Sequence, residues 1–209
     1  MSIELYSGPL SLFSARVQIS LDDKSIPFEL IDVPWTADGG YSPKHPIVES
    51  FNPKLQVPVL VDGDLGLCDS TIILENLEEL VPEPRLYPSE RDARARCRQL
   101  ELESDDVHFA PVRDLIGVSF YPRQRGETPD AEREAQLKAP IAAYHERLAD
   151  HLGARRFFVA SSALPISLIS SPHSSLRGSV LRSIGDTGIC TIGSAEWARA
   201  GAWGGTSPR

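Results

Sequence analysis

Asn52-Pro53-Lys54-Leu55-Gln56-Val57-Pro58-Val59-Leu60-Val61-Asp62-Gly63-Asp64-Leu65-Gly66-Leu67-Cys68-Asp69-Ser70 is the stretch whose reading decides the fold. Asn52-Pro53 opens it as a turn. A short apolar run follows, Val57 to Val61, with Pro58 near its start. Proline has no amide donor and does not fit inside a paired strand. At the first residue of a strand it can take the cis form and turn the preceding backbone outward. The N–H and C=O of Val57 then stay out of the sheet and face a ligand. Asp62-Gly63-Asp64 reads as a hairpin turn and Leu65 to Cys68 as the return strand. Asp69-Ser70 opens a helix over Thr71 to Leu80, with apolar positions at Ile73, Leu74, Leu77 and Leu80. One hairpin thus carries an outward backbone edge and ends in a helix N-terminus with a carboxylate and a hydroxyl. Such a terminus suits a carboxylate or phosphate. Plain capping of the helix is the other role open to Asp69-Ser70.

Gln56-Val57-Pro58 followed by Asp69-Ser70 resembles the glutathione-binding half of the glutathione transferases. There a Val-Pro pair with cis-proline precedes an acidic or Gln residue and a serine. The resemblance implies that Val57 pairs with the backbone of glutathione's cysteinyl residue. It implies that Ser70 and its amide hold the γ-glutamyl carboxylate, that Asp69 holds the γ-glutamyl ammonium, and that Gln56 reaches the glycyl end.

Bulk properties narrow the function. A chain of 209 residues, 41% hydrophobic, can bury a core as one or two domains. A net charge of −8 argues against nucleic acid or an anionic membrane as the main partner. No apolar run is long enough to span a membrane, and Met1 to Leu5 does not read as a signal peptide. Cys68, Cys97 and Cys190 are far apart and form neither C-x-x-C nor a zinc spacing. That usage fits a reducing cytoplasm. The histidines make no metal motif, so no metal is expected.

The N-terminal half reads strand, helix, strand, helix, hairpin, helix. Ile3 to Tyr6 alternates as a first strand. A helix runs from about Ser11 to Asp23, with Leu12, Ala15, Val17, Ile19 and Leu21 as its apolar residues. Phe28 to Val33 is a second strand. A short helix covers Lys44 to Ser50 with Pro43 in its first turn. This order is that of a thioredoxin-like α/β domain over residues 1–81, its first two strands parallel.

Ser11-Leu12-Phe13-Ser14 occupies the place where thioredoxin-like redox proteins carry C-x-x-C. Serine cannot exchange disulfides, so dithiol chemistry is set aside. A thiol-transferring enzyme, which needs cysteine at Ser11, is set aside with it. A hydroxyl at a helix N-terminus can instead donate to a bound thiolate. That bond and the helix dipole both lower the thiol pKa from its usual value of about 8.5. Leu5-Tyr6-Ser7-Gly8-Pro9-Leu10-Ser11 resembles the serine-type glutathione transferases, which implies Ser11 as the catalytic hydroxyl. Its rivals are Ser7, Ser14 and Tyr6, with Tyr6 read as core. Helix capping without chemistry is the plainer role for Ser11. Lys44 and His45 fall near the place where relatives bind the glycyl carboxylate, but read better as solvated surface.

Val81 to Pro88 is a proline-rich connector, with residues 82–88 as the linker. A helical domain is expected over residues 89–160. Its first helix would run from Ser89 to about Tyr121 through Ala95, Leu100, Leu102, Val107, Val112, Leu115 and Ile116, with a kink at Pro111. Tyr121 to Pro129 reads as a loop. The second helix covers Asp130 to Leu152, with Leu137, Ile141, Tyr144 and Leu148 on one face, Pro140 as a kink and a cap at Gly153. Residues 161–209 are rich in Ser and Gly, poor in acids and without helical period. They read as an atypical tail, disordered or replaced by a reading-frame shift near Val159 to Leu164, in place of the family's last helices. The helical domain is thereby incomplete.

The resemblance therefore implies a cytoplasmic glutathione transferase, with glutathione as co-substrate and a small hydrophobic electrophile as its target. It also implies a homodimer. A glutathione-dependent isomerase or dehalogenase, and a non-catalytic glutathione-binding or regulatory protein of the same fold, are the alternatives.

Overall fold

The computed structural model describes residues 2–9, 11–36, 40 and 45–152. Among these the chain divides into two compact units, parted between Glu101 and Leu102. The expected cap at Gly153 and the reading of residues 161–209 lie outside the described residues, as does Lys44.

The first unit is a thioredoxin-like α/β layer. Strands β1 (Ile3–Ser7), β2 (Phe28–Asp32), β3 (Val59–Asp62) and β4 (Leu65–Cys68) form one sheet in the order β2-β1-β3-β4. β1 and β2 are parallel and the other pairs antiparallel. Helices α1 (Leu12–Asp23), α2 (Pro46–Phe51) and α3 (Ser70–Leu80) complete it. Alternation along β1 explains the layering, because successive side chains point to opposite faces. Ile3 and Leu5 pack with Val17, Leu21, Ile73 and Leu77, under α1 and α3. Tyr6 faces the other way, among Val33, Val48, Val57 and Val59. Leu5 and its cross-strand partner Leu60 are both fully buried, each worth about 2 kcal/mol.

The structure adjusts several of these expectations. β3 starts at Val59, one residue past Pro58, which leaves Val57 and Pro58 as the approach to the strand. α2 starts at Pro46, capped by His45, whose Nδ1 accepts from the Ile47 N–H at 3.3 Å. Pro46, rather than the expected Pro43, occupies the first turn, where its missing donor is not needed. Leu80, expected in the core, is half-exposed because it lies in the last turn of α3. Gly66 lets α2 lie against β4: a Cβ there would fall 2.2 Å from the Phe51 ring.

A buried cation closes the unit. The Lys24 side chain has no solvent exposure. Its Nζ donates to Glu78 Oε2 at 2.8 Å, to the Val81 carbonyl at 2.6 Å and to the Pro84 carbonyl at 2.9 Å. Glu78 Oε2 also accepts from the Leu86 N–H. One ammonium thus pins the proline-rich connector to α1 and α3, with all three of its protons satisfied.

α4 (Arg91–Glu103) leads to a relay of short helices: a π-turn over Ser104–His108, α5 (Phe109–Leu115), a second π-turn over Ile116–Phe120, and α6 (Tyr121–Gln124). The sequence reading had one helix with one kink and then a loop from Tyr121. A proline ring crowds the carbonyl four residues earlier and donates no bond to it. For Pro111 that carbonyl is Val107, inside the first π-turn. For Pro122 it is Val118, inside the second. The wider turns, closed by Phe109 N–H to Ser104 C=O and Tyr121 N–H to Ile116 C=O, accommodate both rings. Leu102 and Val107, expected inside, are mostly exposed. Polar Glu101, Ser104, His108 and Ser119 take the buried stripe with Cys97 and Leu115, so hydrophobicity alone placed Leu115 but not Leu102 or Val107. α7 (Ala131–Leu152) does bury Leu137, Ile141, Tyr144 and Leu148.

His108 stacks on Tyr144 with ring centroids 4.8 Å apart, and His145 lies 5.0 Å from His108. His108 Nδ1, the Tyr144 hydroxyl and His145 Nε2 are buried and have no hydrogen-bond partner among the described residues. Burial, with the nearby His145, brings the His108 pKa down to about 4.

Two measurements check these points. Lys24→Met leaves a carboxylate and two carbonyls without their cation, and chemical denaturation is expected to show a loss of about 3 kcal/mol. A loss under about 1 kcal/mol would mean that the clasp behaves as a surface pair. For His108 the folded pKa lies below the unfolded value of about 6.5, so the unfolded chain takes up the proton first. Its contribution is intact above about pH 6.5 and is lost as pH falls towards about 4. Acid unfolding followed by circular dichroism should become shallower across that window in His108→Phe; an unchanged slope contradicts the assignment.

Candidate functional site

Register brings three segments to one rim of the sheet. β1 runs towards Ser7, and Tyr6 pairs with Val59. Val59 in turn pairs with Cys68. Ser7 and Ser11, whose N–H donates to the Gly8 carbonyl, the Val57-Pro58 approach and the Asp69-Ser70 turn therefore meet the sheet at the same end. With strands about 4.8 Å apart, β1 and β4 stand about 10 Å from each other across β3.

At the β1 side, Ser11 caps α1. Its Oγ accepts from the Ser14 N–H at 3.1 Å and from the Ser14 hydroxyl at 3.0 Å. Ser14 itself is buried. Two accepted bonds occupy the lone pairs of Ser11 Oγ and leave its own proton to be donated elsewhere. The cap and the donor are thus compatible roles for one hydroxyl, and Ser14 orients it. Among the rivals, Tyr6 is buried and its hydroxyl donates to Glu4 Oε2 at 2.7 Å. Burial and that carboxylate push the phenol up to about 12, which keeps it protonated. Ser7 belongs to β1 and its carbonyl accepts from the Val33 N–H.

In the middle, the Val57–Pro58 peptide is cis, as the sequence suggested. The Val57 side chain is buried against Tyr6 and Val59, and the residue lies outside the β3 pairing. Asn52 shapes this approach. It is buried, its Nδ2 donates to the Gln56 carbonyl at 2.7 Å, and its Oδ1 accepts from the Lys54 N–H. The exposed Gln56 side chain is thereby carried at the entry to Val57.

At the β4 side, Asp69 caps α3 through Oδ1, which accepts from the Thr71 N–H at 3.2 Å. Its φ of 75° is in the region that side chains rarely adopt, and such strain concentrates at functional turns. Lys54 Nζ lies 3.8 Å from Asp69 Oδ2, an exposed pair. Ser70 is the first residue of α3 and is buried. His45, read from the sequence as solvated surface, is partly covered: it caps α2 and its ring lies 4.8 Å from Tyr6. Among the described residues, no cluster of His, Cys, Asp and Glu could hold a metal ion.

Residues 5–85 match the family described as glutathione S-transferase, N-terminal domain. These residues are thus a glutathione transferase N-terminal domain. It is 41% identical over 110 residues to a stringent starvation protein A homolog of Coxiella burnetii, covering 52% of this chain and 50% of that protein. It is 35% identical over 127 residues to a probable maleylacetoacetate isomerase of Vibrio cholerae, covering 60% and 58%. The chain thus spans about half the length of these curated relatives. A glutathione S-transferase of Methylobacterium radiotolerans, solved with glutathione sulfonate, superposes with a TM-score of 0.60 at 27% identity, over 81% of this chain and 76% of that one.

Two features of this rim escaped the sequence. The strained Asp69 backbone has no sequence signature, since aspartate after a strand reads simply as a cap. Asn52 was read only as a turn opener, although a buried asparagine beside Pro53 was a signal for a side chain holding the loop. Asp69→Ala removes the cap, and stability should fall by about 1 kcal/mol. Asp69→Asn keeps the acceptor and tolerates positive φ, so its denaturation midpoint should stay near wild type. Equal losses in the two variants would contradict the capping role.

Proposed function

We propose that the rim binds glutathione and that the chain conjugates it, through its sulfur, to a small electrophile. Ser11 carries the reading: a helix-capping hydroxyl with both acceptor positions filled by Ser14 has its proton available for an anion. The bound thiol gives its proton to solvent, and the Ser11 hydroxyl donates to the thiolate. The sulfur then forms a bond to an electrophilic carbon as the leaving group departs with its electron pair. The N-terminus of α1 adds favourable potential for the anion.

The rim also suits the rest of the tripeptide. An extended tripeptide is about 10 Å long, the distance from β1 to β4 across β3. With its sulfur at Ser11, its cysteinyl backbone would lie along Val57. The γ-glutamyl carboxylate would meet the Ser70 hydroxyl and amide at the start of α3, and the ammonium would meet Asp69. Gln56 would reach the glycyl end. The relative solved with glutathione sulfonate supports this class of ligand.

A second reading is glutathione-dependent isomerisation, favoured by relatives named maleylacetoacetate isomerase at 35% and 38% identity. It uses the same thiolate, which adds to the substrate and leaves again after bond rotation.

The test follows the thiolate band of added glutathione in the ultraviolet as pH is raised, beside turnover of an activated aryl halide and a cis-enone. The bound thiol should ionise one to two units below the free value of about 8.5. Ser11→Ala should return it towards that value and lower turnover about 100-fold. Ionisation at the free value in the wild-type protein contradicts the proposal. Turnover of the enone alone selects the isomerase.

A further inference from the structure

The first unit buries an acid that the proposed chemistry does not use. Glu101, on α4, is 1% exposed. Oε1 accepts from Arg16 Nη1 at 3.0 Å and from the Thr71 hydroxyl at 3.1 Å. Oε2 accepts from the Tyr87 hydroxyl at 3.1 Å. Burial raises its carboxyl pKa, against the opposing pull of Arg16 and the hydroxyls. A buried carboxylate persists only when paired and hydrogen-bonded, and these three bonds come from three different segments.

Two of those segments matter to the rim. Arg16 lies on α1, five residues beyond the Ser11 cap. Thr71 is the neighbour of Ser70 and is held at both ends: its N–H by Asp69 Oδ1, its hydroxyl by Glu101. Ser70 therefore sits between two anchored residues. Tyr87, by contrast, belongs to the connector.

Resting on the glutathione reading above, we propose that Glu101 is a positioning residue that ties α1 to α3, fixing the Ser11 donor relative to the Ser70 anion seat. It touches no ligand. It holds the N-terminal parts of two helices in register through Arg16 and Thr71, so that the sulfur and the γ-glutamyl end of one tripeptide are gripped together. Preorganisation of this kind reads out as affinity and orientation, because a loosened site orders itself only on binding.

Calorimetric titration with glutathione, the ultraviolet pH titration of its bound thiol and thermal unfolding test this on the full chain. Glu101→Gln should weaken glutathione about tenfold, the size expected when a charged hydrogen bond is lost. It should also move the bound thiol's ionisation to higher pH. Thr71→Val should weaken binding while leaving that ionisation near wild type. The double variant should be no weaker than Glu101→Gln alone, since both remove one link. Tyr87→Phe should lower the unfolding temperature and leave affinity within about twofold.

An effect of Glu101→Gln on unfolding temperature alone overturns the proposal, as does full additivity with Thr71→Val. So does an equal loss of affinity in Tyr87→Phe. Should Glu101→Gln fail to fold, the contrast between Thr71→Val and Tyr87→Phe decides by the same criterion. Absence of glutathione binding by the wild-type chain overturns the underlying reading itself, and is distinguishable from wild-type binding that the variants leave unchanged.

Discussion

The pairing of Tyr6 with Val59 and of Val59 with Cys68 is the constraint from which the rest follows. A one-residue slip between β1 and β3 would set Leu5 and Leu60 on opposite faces, and one between β3 and β4 would do the same to Leu60 and Leu67. Either slip would also separate the ends of the strands. In register, a hydroxyl, an outward backbone edge and a helix N-terminus share one rim. Burial on both faces of the sheet fixes the register, so the hydrophobic effect that folds the unit also assembles the rim.

Polar groups do the finer placing. Lys24 gathers two helices and the connector, Glu101 gathers two helices and the same connector, and Asn52 shapes the approach to Val57. Each is buried with its bonding capacity largely filled, the condition under which a buried polar group specifies one arrangement. Cys97, beside Glu101 in the core, is pushed up to about 12 by burial and that carboxylate, which removes it from thiol chemistry.

Much of this was legible beforehand for a physical reason. Gln56-Val57-Pro58 and Asp69-Ser70 impose backbone demands, a proline at a strand entry and an acid at a helix start, that leave few local solutions. The strand alternation of Ile3 to Tyr6 and the 3.6-residue spacing of Leu137, Ile141, Tyr144 and Leu148 likewise survive into the structure. The failures have the opposite cause. Glu101, Ser104, His108 and Ser119 fill an inward stripe with polar side chains, and no periodicity of apolar residues reports that. Pro122 widens a helix rather than ending it, since a π-turn absorbs its ring. The Arg16–Glu101 bond joins residues 85 positions apart, a pairing that neither spacing nor composition encodes.

A crystal structure of the chain with glutathione bound is the most direct test of the rim as a tripeptide site. The sulfur should lie within hydrogen-bond reach of Ser11 Oγ, about 3.5 Å or less. The cysteinyl backbone should run beside Val57, and the γ-glutamyl carboxylate should rest on the Ser70 hydroxyl and amide. Glutathione seated on another face of the sheet, or lying on this rim with its sulfur turned away from Ser11, would contradict the reading.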